Sequence, residues 1–178
     1  CNKFPNPELR DFVVEYFEEC GLLADRLARL MAQGILPAEQ ECSIVRDLRD
    51  HHTSYLRLNY YPVCNKESEL GISPHRDAGF LTILLQDETC HSLQVCNNYD
   101  GEWHLVVPEP NALTINTGDM AQIWSNGVYQ APLHRVLTST DTDRFSAPFF
   151  YNPGYQHSIA PVSHPPKYYP CLWGYFRA

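Results

Sequence analysis

The sequence predicts a mainly β fold with helices, a jelly roll flanked by a long N-terminal helix. Three observations predict it. Residues 7 to 32 repeat apolar side chains at three- and four-residue steps, the spacing of an amphipathic helix. From residue 51 the chain changes to short runs rich in β-branched and aromatic residues. Pro, Gly, Asn and Asp punctuate the gaps, and about eight such runs suit a closed or double-sheet antiparallel architecture.

In the first segment Leu9, Phe12, Val13, Tyr16, Phe17, Cys20, Leu23, Leu27, Leu30 and Met31 make the apolar stripe. Asn6-Pro7-Glu8 supplies an N-cap, a proline at the first helical position and an acid in the first turn. Gly34 is the expected C-cap. A shorter helix is expected from 37 to about 50, on weaker apolar spacing. Strands are expected at 55–61, 80–86, 92–96, 103–106, 113–115, 122–124, 134–137 and 146–151. Tyr99-Asp100-Gly101, Thr117-Gly118-Asp119 and Ser125-Asn126-Gly127 read as turns. The last stretch is rich in Pro and Tyr and is expected to lie along the surface, cut short. The organisation expected is a helical buttress at 1–50, a jelly-roll core at 51–157 and a tail at 158–178.

Length suits one domain with a real core. With 44% apolar and 19% charged residues the chain is globular, not disordered. A net charge of -8 with scattered basic residues argues against a nucleic-acid binder, which needs a basic face. The seven cysteines are odd in number and contain no C-x-x-C pair, so free thiols in a reducing compartment are expected. No run of eighteen apolar residues marks a transmembrane helix. The chain opens at Cys1 without a signal-peptide core and reads as a piece of a longer protein. Soluble and cytoplasmic is the default expectation.

The chemistry concentrates in His75-Arg76-Asp77 and, far downstream, His134. Two apart on an extended segment, His75 and Asp77 point to one face. Alone the pair is weak, because a polar loop after Ser73-Pro74 also accounts for it. His134 opens another strand and is the third ligand chosen among eight histidines. Two imidazoles and a carboxylate without thiolate are the facial set of non-haem Fe(II), which leaves positions free for substrate and O2; zinc and manganese also accept it. Ten residues beyond His134 stands Arg144-Phe-Ser146. Alternation puts Arg144, Ser146, Pro148 and Phe150 on one face. An interior Arg144 needs an anion, and a dicarboxylate gripped by Arg144 and Ser146 would supply it. A surface arginine paired with Asp141 or Asp143 is the competing explanation. Asn59 and Tyr61 share a strand face and carry donors for co-substrate oxygens, or form an ordinary interior polar pair.

Arg57-Leu-Asn-Tyr-Tyr-Pro-Val-Cys64, Pro74-His-Arg-Asp-Ala-Gly79, Leu81-Thr-Ile-Leu-Leu-Gln-Asp87, Ala112-Leu-Thr-Ile-Asn-Thr-Gly-Asp119, His134-Arg-Val136, Arg144-Phe-Ser146 and Phe150-Tyr-Asn-Pro153 follow one another in order. With these motifs the chain resembles the C-terminal catalytic region of 2-oxoglutarate- and Fe(II)-dependent dioxygenases, in the isopenicillin N synthase-like branch. The resemblance implies a double-stranded β-helix with His75, Asp77 and His134 as iron ligands. It implies Arg144 and Ser146 at the distal carboxylate of 2-oxoglutarate, helped by Tyr61 with Asn59 nearby, and Phe150 lining the substrate pocket. The implied reaction hydroxylates or desaturates a small organic molecule with O2. Two alternatives stand: an Fe(II) oxidase of the same fold that uses no 2-oxoglutarate, such as aminocyclopropanecarboxylate oxidase, or an inactive shortened jelly roll. Arg76 departs from the small residue or Thr usual between the first two ligands, and either shapes substrate choice or points to solvent. Relatives also usually carry a further N-terminal stretch that helps cover the site.

Overall fold

The computed structural model describes residues 2–37, 43–64 and 70–178. Helix α1 (Pro7–Gln33) begins as expected, with the Asn6 side chain accepting from the Leu9 amide at 2.8 Å. Helix α2 covers Ser43–Asp50; the earlier part of the helix expected from 37 lies outside the described residues.

Two sheets face each other. The first contains β1 (Tyr55–Leu56), β2 (Asn59–Tyr61), β4 (Leu81–Gln86), β7 (Thr114–Thr117) and β9 (Arg144–Tyr151). Its order is β1-β9-β4-β7, with β2 also on β9. The second runs β3 (Leu70–His75), β8 (His134–Leu137), β5 (Leu93–Cys96) and β6 (Trp103–Leu105). All recorded strand pairs are antiparallel. A cavity of about 480 Å³ lies between the sheets and is lined by both.

The outer face of the first sheet is the hydrophobic core. Phe80, Leu81, Ile83, Phe149 and Tyr151 bury there against α1, α2 and α3 (Asp119–Trp124). The buried stripe of α1 is not the expected row of large residues. It is Cys20, Ala24, Ala28 and Ala32, four apart, while Phe12 is 74% and Leu30 62% exposed. Small side chains let the helix axis come close to the sheet; Tyr16, Phe17, Leu23, Leu27 and Met31 pack only along the flanks. Phe17 meets Phe149 edge-on at 5.1 Å.

Three further expectations are corrected. Residues 122–124 are not a strand but the end of α3, which buries Met120, Ala121 and Trp124 at helical spacing. Gly118 and Asp119 at its start are helix-start signals that outweigh the β-branched Ile123. The run 55–61 is broken into two short strands. Gly34 caps α1 as expected, at a right-handed φ of -71°. Its missing side chain makes room instead: a Cβ there would sit 2.9 Å from the Tyr129 hydroxyl, which donates to the Met31 carbonyl at 3.1 Å.

The tail does not merely lie along the surface. It forms β10 (Ser158–Ile159), β11 (Cys171–Leu172) and α4 (Trp173–Arg177). Ile159 and Trp173 are buried, and the Trp173 indole donates to Thr53 Oγ1 at 2.8 Å. Asn126, at φ 55°, fixes the same segment. Its amide donates to Ser163 Oγ and the Pro165 carbonyl, each at 3.0 Å, and its oxygen accepts from the Lys167 amide at 2.7 Å.

Ala28→Leu should cost about 1–3 kcal/mol by forcing α1 off the sheet. Phe12→Ser should stay within about 0.5 kcal/mol. Urea unfolding of both variants checks the alanine stripe; the reverse ranking would place the contact on the large residues.

Candidate active site

Three ligand-type side chains converge at one end of the cavity. Strand β3 ends at His75, which pairs in register with His134 at the start of β8, and Asp77 follows in the turn after β3. The Asp77 carboxylate Oδ1 lies 3.7 Å from His75 Nε2 and 3.8 Å from His134 Nε2. Their ligand atoms all lie within 4.8 Å of one another, and no other such group occurs among the described residues. Each imidazole has its Nδ1 on a main-chain carbonyl, Ser73 at 2.9 Å and Pro132 at 3.2 Å. Those contacts favour the Nδ1–H tautomer and leave the Nε2 lone pairs facing the acid. Donors about 2.1 Å from one ion stand about 3–4 Å apart, so one divalent cation fits this set with little adjustment. Burial holds the His134 imidazole below its ordinary pKa, against the pull of Asp77. A neutral imidazole is the form that binds metal.

Asp77 is itself held. Its Oδ2 accepts from Thr82 Oγ1 at 2.7 Å and Asn116 Nδ2 at 2.8 Å. The Asp119 amide donates to the Asp77 carbonyl at 2.8 Å, where β7 runs into α3. Gly118 permits that approach, since a Cβ there would lie 2.2 Å from the Gly79 carbonyl and 2.7 Å from that of Asp77. Arg76 does not line the cavity; its guanidinium donates to the Ala131 carbonyl. It also pulls on Asp119, whose pKa burial raises.

At the other end Arg144 is only 2% exposed. The surface pairing with Asp141 or Asp143 does not occur; Asp143 accepts instead from the Tyr60 hydroxyl at 3.0 Å and the Val63 amide at 2.8 Å. Arg144 donates to Gln86 Oε1 at 3.0 Å and to Ser146 Oγ at 3.5 Å, and lies over the Tyr61 ring at 5.1 Å. Its Nε has no hydrogen-bond partner, and no carboxylate pairs with it among the described residues. A buried guanidinium left this way calls for an anion.

Ser146, Pro148 and Phe150 line the cavity with Arg144, and Asn59 donates to Ser146 Oγ at 3.3 Å. All eight candidate residues therefore face one space. Tyr55 stacks on Phe150 at 4.8 Å. Leu84, Leu93, Val95, Val106 and Ile115 make much of the remaining wall apolar, and Arg57 adds a second cation without a paired acid among the described residues.

The family model described as the 2OG-Fe(II) oxygenase superfamily matches residues 52–153, which contain the three ligand-type residues and Arg144. The chain belongs to that superfamily. Jasmonate-induced oxygenase 2 of Arabidopsis thaliana is 37% identical over 185 residues, 99% of this chain and 49% of that protein. Gibberellin 2-beta-dioxygenase 8 of the same plant is 41% identical over 155 residues, 86% of this chain and 44% of that protein. The crystal structure of JOX2 in complex with 2OG, Fe and JA matches with a TM-score of 0.87 at 37% identity, over 99% of this chain and 53% of that one. A dioxygenase for auxin oxidation in rice matches with a TM-score of 0.85 at 26% identity, over 97% of this chain and 58% of that one. The chain thus spans about half the length of the curated relatives it matches.

Sequence reasoning overlooked Thr82, Gln86 and Asn116; it aligned Arg57 with Asn59 and Tyr61 but gave it no role. A signal existed for two of them: Thr82 and Gln86 are the polar positions of an otherwise apolar strand and share one face. Among the aromatic residues, Phe149 and Trp124 bury in the helix-side core, whereas Phe150 and Tyr61 face the cavity.

Arg144→Met should leave the ligand-free protein as stable as wild type or more so, because it removes a buried charge that lacks a counter-ion. Thermal unfolding without additives checks it. A loss of more than about 2 kcal/mol would show that the guanidinium is already compensated.

Proposed function

We propose that the chain is the catalytic region of an Fe(II)- and 2-oxoglutarate-dependent dioxygenase acting on a small organic molecule. The observation that carries the reading is the pairing, in one cavity, of a two-histidine, one-carboxylate cluster with a buried guanidinium that lacks an anion. The JOX2 complex with 2OG and Fe supports it.

In this reading His75, Asp77 and His134 hold Fe(II). Arg144 grips the distal carboxylate of 2-oxoglutarate, with Ser146 and Tyr61 beside it and Asn59 orienting Ser146. With O2, the metal and co-substrate supply the oxidation: 2-oxoglutarate becomes succinate and CO2 while the substrate is hydroxylated or desaturated. The residues of the chain bind, orient and exclude water. The apolar wall keeps the site dry, and Gln86 fixes the guanidinium that sets the depth of the co-substrate. Phe150, backed by Tyr55, offers a flat apolar surface to the substrate. Arg57 is left for an anionic group on it, since Arg144 is engaged by the co-substrate. The jelly roll of 51–157 is the working core and 1–50 its buttress. Cys20, Cys90, Cys96 and Cys171 form no disulfide, which suits a reducing, cytoplasmic setting.

One relative, 1-aminocyclopropane-1-carboxylate oxidase 5 of Arabidopsis thaliana, is 34% identical over 91% of this chain, so the oxidase alternative has a specific basis. Substrate-stimulated succinate release separates the two: it is expected here, and substrate turnover without succinate would replace the dioxygenase reading. Under anaerobic conditions, Fe(II) with 2-oxoglutarate should give a weak visible charge-transfer band that His134→Ala abolishes. An undiminished band in that variant would remove His134 from the metal. Once a turned-over acid is known, Arg57→Gln should raise its KM by about 10-fold with little change in kcat, the mark of lost ground-state binding.

A further inference from the structure

The oxygens of Asp77 stand in two environments. Oδ1 faces the imidazoles, whereas Oδ2 takes hydrogen bonds from two side chains of the opposite sheet. Those two donors are not scattered. Thr82 on β4 and Asn116 on β7 are direct cross-strand partners, so their side chains emerge side by side on the inner face. Both meet the same oxygen, at 2.7 and 2.8 Å, and Thr82 and Asp77 are buried.

We propose that Thr82 and Asn116 are positioning residues that restrict Asp77 to one-oxygen metal ligation and so keep a coordination position free. The proposal rests on the reading that His75, Asp77 and His134 hold Fe(II). Two short hydrogen bonds use the acceptor capacity of Oδ2 and leave Oδ1 for a metal. The carboxylate cannot rotate to offer both oxygens without depriving a buried donor of its partner. The main chain cannot shift to compensate, because the Asp119 amide and the Gly118 approach pin the Asp77 carbonyl. The consequence concerns counting. Two imidazoles and one carboxylate oxygen leave three places on a six-coordinate ion; a chelating 2-oxo acid fills two, and one remains. A two-oxygen Asp77 would occupy that last place or displace part of the co-substrate.

The test uses Co(II), which reports its ligand set in the visible spectrum and needs no turnover. Thr82→Val removes one donor at constant shape, Thr82→Ser keeps it, and Thr82→Val/Asn116→Ala removes both. The double variant is expected to bind 2-oxoglutarate about 10–100-fold more weakly in its Co(II) form, with an altered Co(II) spectrum and an unchanged fold by circular dichroism. Thr82→Ser should restore the wild-type spectrum and affinity, which a purely structural role for the hydroxyl would not require. A double variant with wild-type spectrum and wild-type 2-oxoglutarate affinity overturns the proposal while leaving the metal site standing. If the double variant does not fold, Thr82→Val alone decides on the same two readouts. Failure of the wild type to bind one Co(II), or equal binding by His134→Ala, overturns the metal reading and the proposal with it.

Discussion

The register of β9 is the constraint on which the site depends. Arg144 pairs across to Tyr61, Ser146 lies between Asn59 and Gln86, and Phe150 lies between Tyr55 and Thr82. Side chains alternate along a strand, so a slip of one residue would send the guanidinium outward and Phe149 into the cavity. What forbids the slip is the other face. Phe149 and Tyr151 are buried with Ile83 under α1, and full burial of such side chains is worth about 1.5–3 kcal/mol each. The apolar core on one side of the sheet thereby fixes the polar constellation on the other.

The two ends of the cavity are electrostatically unlike. The Asp77 end is satisfied, its second oxygen occupied by donors from β4 and β7. The Arg144 end is not, with an Nε that lacks a partner and a nearest strong acceptor in the neutral Gln86. A ligand with a chelating head and an anionic tail is oriented by this asymmetry alone. A buried guanidinium left without a counter-ion is how a binding site differs from a structural polar network.

Much of this was legible in the residues, because period-two alternation and motif order are local properties. His75 and Asp77, the inward row Arg144, Ser146, Pro148 and Phe150, and the Asn6 cap all depend on neighbours in the chain. The rest depends on partners far away. Which stripe of α1 is buried was decided by how closely a sheet could approach it, so alanines displaced the larger residues. Strand β3 was hidden by Gly71 and Pro74 and is irregular, with register shifts on either side of Ile72. The role of Asn116 follows from its register with Thr82, and the buried tail from an asparagine some forty residues earlier; neither pairing leaves a trace in spacing.

Tyr129 ties two distant parts together. Its hydroxyl closes the end of α1 through the Met31 carbonyl, and its amide is held by Ser125 Oγ at 3.0 Å in the segment that leads to His134. The docking of the long helix and the placement of the third ligand-type side chain are therefore thermodynamically linked. Fraying the final turn of α1 loosens the approach to His134, and an ion bound at the triad would in return resist that fraying.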